Sequence, residues 1–173
     1  MVEKKLSKMP LIVGIVGKSD SGKTTFLEKL IPILKNRGFK IGVIKHSTCE
    51  IMIDHKGKDT WRHKNAGADC VAALSFQNFV FFKDYNNEES LHEIVKKHFN
   101  DMDIILTEGF KKEKIQKIEI LRDNSSPFCA HDSSLIAFVS NFDLKSNVPC
   151  FKFHDIEKIA DLIESLYNET RTN

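Results

Sequence analysis

Residues 11–25 read Leu-Ile-Val-Gly-Ile-Val-Gly-Lys-Ser-Asp-Ser-Gly-Lys-Thr-Thr and decide the fold of this chain. An apolar run typical of a buried strand leads into a glycine loop and then into a helical pattern. The loop matches G-x-x-x-x-G-K-[ST] at Gly17, Gly22, Lys23 and Thr24. Its glycines allow successive N–H groups to cradle an anion, and the helix adds its own unpaired N–H groups. We expect Lys23 to reach the outer phosphates of a nucleotide and Thr24 to hold Mg²⁺; the alternative is an ordinary Gly/Ser turn.

The whole loop is predicted to bind phosphate, through Gly17, Lys18, Ser19, Asp20, Ser21, Gly22, Lys23, Thr24 and Thr25. Lys18 also matches K-x-x-x-G-K-[ST], which resembles the loop of P-loop proteins with a second lysine. In those proteins that lysine crosses a dimer interface to the partner's phosphates. Two of their glycines are Ser19 and Asp20 here, and Lys18 could instead pair with Asp20 at the surface.

Length and composition indicate one globular domain over residues 10–173, preceded by a polar tail at 1–9 without the apolar segment of a signal peptide. The 26 basic and 24 acidic residues leave a net charge of +2, which gives no electrostatic case for a nucleic-acid or membrane partner. No apolar run is long enough to span a bilayer. The scattered cysteines, without C-x-x-C, favour free thiols in a cytoplasmic protein; they are Cys49, Cys70, Cys129 and Cys150.

The remaining pattern predicts an α/β fold, a doubly wound and mostly parallel sheet of the P-loop NTPase type with helices on both faces. Helices are predicted over 24–37, 57–68, 88–99 and 155–167. Strands are predicted over 40–46, 70–75, 79–83, 103–109, 117–122 and 135–139. The strands at 70–75 and 79–83 form a peripheral hairpin. We expect 70–75 and 135–139 to be buried and 117–122, which alternates, to be half exposed.

Two acidic residues bound the strand at 103–109. Ligands bind at the carboxyl ends of the strands in such a sheet. Asp103 opens this strand and Glu108 closes it, about 16 Å away. We therefore assign to Glu108 the acidic, Walker-B-like role beside Mg²⁺; the alternative is a surface carboxylate before a turn. Asp103 is interpreted as a charge at the start of a strand.

Other candidate residues follow the second strand. His46 closes it at the predicted nucleotide edge. Asp54, a candidate Mg²⁺ ligand, and Asp59, a candidate catalytic residue, lie in the region that senses the γ-phosphate in P-loop proteins. Asp59 or Thr60 could equally be a helix N-cap. The spacing of nearby histidines and Cys49 fits no zinc pattern.

The sequence does not show which base a bound nucleotide carries, because the tetrapeptide N-K-x-D that recognises guanine does not occur. The segment Ser-Asn-Phe-Asp at 140–143 closes a late strand and could place Asp143 against guanine. A simple strand-to-loop turn explains the same segment equally well.

Several motifs in this order resemble the molybdopterin-guanine dinucleotide biosynthesis protein B family. They are the phosphate loop, Ile-Lys-His at 44–46, D-x-x-G-K-D-T-x-R at 54–62 with A-G-A at 66–68, T-E-G-F-K at 107–111, and K-I-E at 117–119. The resemblance implies a GTP-binding, weakly GTP-hydrolysing and usually dimeric adaptor of molybdenum cofactor maturation. Its partner would be the guanylyltransferase that attaches GMP to molybdopterin. Family members often carry a His-rich run where this chain has Ser-Thr-Cys-Glu at 47–50.

Two other functions remain open on the same scaffold, a small-molecule kinase or ligase and a metal-insertion GTPase. The first needs an acceptor pocket and ATP preference, and the second needs a Cys/His site. We also expect a homodimer that uses the hairpin, because Phe76, Phe79, Phe81 and Phe82 fall on both of its faces. The alternative is a hairpin buried on both faces within one subunit.

Overall fold

The computed structural model describes residues 9–47, 51, 54–84, 89–122 and 126–172. These divide into two compact units, one within Met1–His46 and Leu91–Asn173 and the other within Ser47–Ser90. Most of the predicted tail and Cys49 lie outside the described residues. The single domain expected from the sequence stays a prediction.

The described residues of the first unit form six strands and three helices. The strands are β1 (Leu11–Gly17), β2 (Ile41–Lys45), β5 (Ile104–Glu108), β6 (Gln116–Leu121), β7 (Leu135–Ser140) and β8 (Cys150–Phe151). The helices are α1 (Lys23–Asn36), α3 (Leu91–His98) and α4 (Ile156–Thr172). Among the described helices, we find none with the length and apolar character needed to cross a membrane.

The six strands form one sheet in the order β2-β5-β1-β6-β7-β8, and every neighbouring pair is parallel. Successive side chains of a strand point to opposite faces, so Val13 and Ile15 pack with α1 and α4 while Ile12 packs with α3. Helices therefore cover both faces. The predicted doubly wound sheet is confirmed.

Burial at the centre of the sheet explains its apolar sequence. All seven residues of β1 are buried, as expected of a strand with helices on both faces. Helix α1 buries Phe26, Leu27, Leu30 and Leu34, a spacing that places one stripe on the sheet. Each such side chain stabilises the fold by about 1.5–3 kcal/mol.

The prediction that residues 117–122 are half exposed is wrong. Strand β6 lies between β1 and β7, and every residue from Lys117 to Leu121 is buried. Its alternating charged residues have internal partners. Lys117 is 2% exposed and lies 2.6 Å from Asp132. Glu119 is fully buried and accepts two backbone hydrogen bonds.

The second unit contains α2 (Asp59–Asn65) and an antiparallel hairpin of β3 (Cys70–Leu74) and β4 (Phe79–Lys83). The predicted hairpin is confirmed. The expected burial of 70–75 is wrong, because only Val71 is buried. The suggested N-caps of α2 are also wrong: Lys58 occupies that position without a side-chain cap, and Asp59 is already helical.

Candidate nucleotide-binding site

The phosphate loop joins the end of β1 to the start of α1. Gly22 precedes the helix with a φ of 94°, a left-handed conformation that disfavours other residues. A side chain at Gly17 would place its Cβ 2.5 Å from the carbonyl oxygen of Ile120. No side chain caps the first turn of α1. The cap residue therefore offers no side-chain acceptor that would compete with an anion for the N–H groups of this first turn.

The Lys23 ammonium turns back into this loop. Its Nζ donates to the carbonyl oxygens of Lys18 at 2.5 Å and Gly17 at 3.3 Å. Burial holds the pKa of Lys23 below its ordinary value, the charge of Lys111 lowers it further, and Glu108 acts in the opposite direction. An anion in the loop would compensate this partly desolvated charge.

Glu108 lies beside the first turn of α1. The Thr24 hydroxyl donates to the two Glu108 oxygens at 3.1 and 3.2 Å. Parallel pairing brings this about, because Ile15 of β1 and Lys45 of β2 are both register partners of Glu108. A hydroxyl and a carboxylate are oxygen ligands of the type that Mg²⁺ takes beside a phosphate. The side chains present therefore fit the ion.

Asp103 lies at the opposite end of the same strand. Its carboxylate accepts the Lys40 N–H at 2.8 Å and the Tyr167 hydroxyl at 3.0 Å. The structure thus places the two carboxylates at opposite edges of the sheet. Asp103 ties together chain segments far from the phosphate loop.

Two further lysines at this edge were not predicted. The Lys45 Nζ lies 3.5 Å from a Glu108 oxygen. The Lys111 Nζ lies 4.0 Å from the centre of the Phe128 ring. Lys45 is the last residue of β2 and Lys111 follows β5, so both lie at the carboxyl ends of parallel strands, and the argument that selected Glu108 could have found them.

His46 is held at the same edge by the turn after β5. The backbone N–H of His46 donates to the backbone carbonyl of Glu108 at 2.9 Å, and the centre of its ring lies 4.9 Å from that of Phe110. Gly109 and Phe110 both have positive φ, and Phe110 at 56° is unusual for a bulky residue. This turn directs Phe110 onto His46. The predicted nucleotide contact of His46 stays a prediction.

Asp54 and Asp59 lie in the second unit, each with partners there. Asp54 accepts hydrogen bonds from the Thr60 hydroxyl and from the His55 N–H. Asp59 lies 3.8 Å from Arg62. Their predicted roles toward Mg²⁺ and the γ-phosphate stay predictions. Within the part of the chain that the structure describes, we find no group of three His, Cys, Asp or Glu residues arranged for a metal.

A cavity of about 240 Å³ adjoins the phosphate loop. It is lined by Ser21, Gly22, Thr25, Phe26, Lys29, Arg122, Asn141, Phe153 and Ile156. Sequence analysis missed Arg122, Asn141 and Phe153, although each follows a strand of the sheet. Asp143, chosen instead, is fully exposed and lies 3.1 Å from Lys152.

A parallel sheet with this loop between its first strand and first helix, and an acidic residue ending the neighbouring strand, defines a P-loop NTPase-type fold. The family model for Molybdopterin guanine dinucleotide synthesis protein B matches residues 12–141. The chain belongs to this family, as the resemblance indicated.

Individual relatives are similar in sequence to this chain over most of its length. The "Molybdopterin-guanine dinucleotide biosynthesis adapter protein" of Haemophilus influenzae is 36% identical over 92% of this chain and 90% of its own length. Its counterpart of the same name in Escherichia coli is 34% identical over 84% and 86%. A crystal structure of molybdopterin-guanine biosynthesis protein B superposes with a TM-score of 0.74 at 31% identity, covering 91% of this chain and 99% of that one.

Proposed function

We propose that this chain is a GTP-binding, slowly GTP-hydrolysing adaptor in the synthesis of molybdopterin guanine dinucleotide. The observation that carries the nucleotide part is the Thr24–Glu108 contact at the end of a phosphate loop that also holds Lys23. The names of the similar proteins support the adaptor part. The partner we propose is the guanylyltransferase that attaches GMP to molybdopterin.

The charges at this edge support a nucleoside triphosphate. Lys23, Lys45 and Lys111 contribute three positive charges at this edge, and Glu108 and Asp20 contribute two negative ones, which leaves +1. A nucleoside triphosphate with one Mg²⁺ carries about two negative charges. Its binding would therefore add negative charge beside lysines that otherwise repel one another.

Each residue has a defined task in this proposal. The loop N–H groups orient the phosphates, and Lys23 with Lys45 and Lys111 stabilises charge on the outer ones. Thr24 and Glu108 would hold Mg²⁺, which supplies further neutralisation of the β- and γ-phosphates.

Slow hydrolysis follows from how Glu108 is engaged. Both Thr24 and Lys45 contact it, so this carboxylate is engaged with protein groups and is not free to orient an attacking water. Asp54 and Asp59 remain our candidates for sensing Mg²⁺ and the γ-phosphate. His46 is proposed to contact the nucleotide at the same edge as Glu108.

We further propose that the protein works as a homodimer through the hairpin. Leu74, Phe76 and Phe79 are 82%, 106% and 66% exposed. A hairpin buried within one subunit would not expose these side chains. In that dimer, Lys18, which is exposed, would add a charge to the partner's phosphates.

Titration of the purified protein with GTP and ATP, with and without Mg²⁺, tests the proposal. We expect tighter binding of GTP, dependence on Mg²⁺, and turnover on the order of 10⁻³ s⁻¹ or slower, as for P-loop GTPases without an activating partner. Phosphate release should be compared with and without molybdopterin. Absence of GTP binding would contradict the nucleotide role, and ATP-dependent phosphorylation of a small molecule would favour the kinase.

A further inference from the structure

Phe128 lies between β6 and β7 in the sequence, and a buried carboxylate fixes its backbone. The N–H groups of Phe128 and Cys129 donate to the two oxygens of Glu119 at 2.7 and 2.9 Å. Glu119 is fully buried in β6, and its register partner in β1 is Val16, the residue before Gly17. Hydrogen bonds to a charged acceptor are stronger than neutral ones. The backbone of Phe128 is therefore held close to the point where β1 enters the phosphate loop.

The side chains of Phe128 and Cys129 have opposite surroundings. Cys129 is 3% exposed and packs in one apolar cluster with Val16. Phe128 is 52% exposed, so its ring contributes little to the core. The contact that the structure shows for this ring is the Lys111 ammonium, whose Nζ lies 4.0 Å from the ring centre. The ring quadrupole attracts a cation at this distance.

The Lys111 ammonium lies near other cations. Burial lowers the pKa of Lys23, and the nearby charge of Lys111 lowers it further, whereas Glu108 acts in the opposite direction. Lys45 has a carboxylate partner, since its Nζ lies 3.5 Å from a Glu108 oxygen. Lys111 is instead held against Phe128. A lysine side chain is long and flexible, so without the ring repulsion would turn this ammonium away from Lys23 into solvent.

We propose that Phe128 is a positioning residue, whose ring keeps the Lys111 ammonium where it meets the γ-phosphate of a bound nucleotide. This rests on the proposed nucleotide binding and adds to it how one of the lysines is held in place. Lys111 follows β5 three residues after Glu108, on the side of the phosphate loop where Mg²⁺ and the γ-phosphate are proposed to bind. A charge that is already in place stabilises a phosphate without the cost of reorganisation.

The place of Lys111 predicts which nucleotides respond to loss of the ring. GTP has a γ-phosphate for this ammonium to contact, whereas GDP does not. Removal of the Phe128 ring should therefore weaken the binding of GTP and leave the binding of GDP unchanged. A substitution that only disturbed the fold around the phosphate loop would weaken both. The contrast between triphosphate and diphosphate thus separates a positioning role from a structural one.

The test is calorimetric titration of the full chain, in Mg²⁺, with GDP and with the β,γ-imido analogue of GTP, which resists hydrolysis. Phe128→Leu keeps an apolar side chain without the aromatic face, and should weaken binding of the GTP analogue about two- to fivefold, the effect of one exposed cation–π contact. Phe128→Tyr keeps the face and should restore the affinity. Lys112→Gln, at the exposed lysine next to Lys111, is the matched control and should change neither affinity.

A double-mutant cycle shows whether Phe128 acts through Lys111. Lys111→Gln should weaken binding of the GTP analogue by at least about tenfold, because it removes a charged hydrogen-bond donor from the γ-phosphate. Phe128→Leu added to Lys111→Gln should cause no further loss, since the ring then has no cation to hold.

The outcomes separate this inference from the proposed function. Three results would overturn the positioning role alone: wild-type affinity for the GTP analogue in Phe128→Leu, an equal loss of affinity for GDP, or an equal loss in the Lys111→Gln background. A wild-type protein that binds neither nucleotide would overturn both proposals. Circular dichroism must match the wild type, and Phe128→Met, which also removes the aromatic face, provides the answer if Phe128→Leu does not fold.

Discussion

The Thr24 hydroxyl lies 3.1 Å from the Glu108 carboxylate, which joins the first turn of α1 to the end of β5 across 84 residues of sequence. This contact exists because β1 and β5 are parallel neighbours in register. It gives the proposed nucleotide edge two distinct sides, the proposed metal-binding side toward β5 and a cavity toward β6.

Replacement of Glu108 should affect hydrolysis more than binding. In Glu108→Gln we expect Mg²⁺-dependent GTP turnover to fall about 10- to 100-fold, with GTP affinity within about threefold of wild type. Asp103→Asn is the control, because its carboxylate lies at the other end of the strand. Turnover per folded molecule should stay near wild type there. A larger loss of turnover in Asp103→Asn than in Glu108→Gln would show that the proposal places the nucleotide at the wrong edge of the sheet.

Replacement of Lys23 should abolish tight binding without unfolding the protein. Its Nζ is bonded to two loop carbonyls and points to where phosphates would bind. Lys23→Ala should lose GTP and tripolyphosphate binding and keep the native circular dichroism.

Lys18→Ala, by contrast, should lower GTP turnover with little loss of GTP affinity. Mixing the two variants should restore part of the turnover if Lys18 acts in a dimer; full turnover in Lys18→Ala would leave it a surface role only.

Because of the Lys117–Asp132 pair, the free energy of unfolding should decrease at low pH. Hydrogen bonds from Lys117 and Ser134 lower the pKa of Asp132 from 3.8 to about 2. The carboxylate therefore stabilises the fold above pH 4 and loses this contribution as the pH falls toward 2. Since Asp132 is partly exposed, solvent screening reduces the contribution to about 1 kcal/mol.

Urea unfolding of Asp132→Asn across pH measures this. The variant leaves Lys117 buried without its counterion and should cost about 3 kcal/mol near pH 7. At pH 2.5 the difference from wild type should narrow by about two thirds of that 1 kcal/mol, because the pKa of Asp132 in the folded protein is about 2. Asp143→Asn, whose partner Lys152 lies at the surface, should cost less than about 1 kcal/mol at any pH. A constant difference across pH for Asp132→Asn would show that the ion pair does not titrate as expected.

Glu119 should control access to the Cys129 thiol. Its two oxygens accept the N–H groups of Phe128 at 2.7 Å and Cys129 at 2.9 Å. Burial, reinforced by the Glu119 charge, raises the pKa of Cys129 to about 11. Cys129 should therefore resist iodoacetamide at pH 8 more strongly than Cys70, which is exposed.

Glu119→Gln removes the charge and one acceptor, and peptide mapping by mass spectrometry reports the outcome. Cys129 labelling should accelerate by at least about tenfold, with a stability loss of about 1–3 kcal/mol. Glu28→Gln, on the exposed face of α1, is the matched control and should leave the labelling unchanged. Equal rates of Cys129 labelling in the two variants would show that Glu119 does not protect this thiol.

The hairpin prediction concerns its exposed aromatic face. The Phe79 and Phe81 rings lie 6.3 Å apart, and both are largely exposed. If this face joins two copies, Phe79→Ser with Phe81→Ser should convert a dimer to a monomer in sedimentation at micromolar concentration. Phe128→Ser removes an exposed phenylalanine outside the hairpin and should leave the dimer intact. A wild-type protein that sediments only as a monomer would remove the proposal.

Local signals made the phosphate loop and the overall sheet predictable. Gly22 needs its left-handed backbone whatever surrounds it, and the apolar run of β1 needs burial on both faces. Strand ends also selected Glu108 over Asp103, because all parallel strands present their carboxyl ends at one edge. The error in β6 arose because alternation of charge was taken as exposure, at Lys117 and Glu119.

By itself the sequence determined the loop, the alternation of strands and helices, and which end of β5 lies beside the loop. Only the tertiary structure decided that β6 is an interior strand, that Asp132 and two backbone amides accompany its buried charges, and that Arg122, Asn141 and Phe153 share a cavity. The physical reason is that residues close together in the sequence determine backbone geometry and apolar periodicity. The cost of burying a charge depends on partners that only the order of strands brings close.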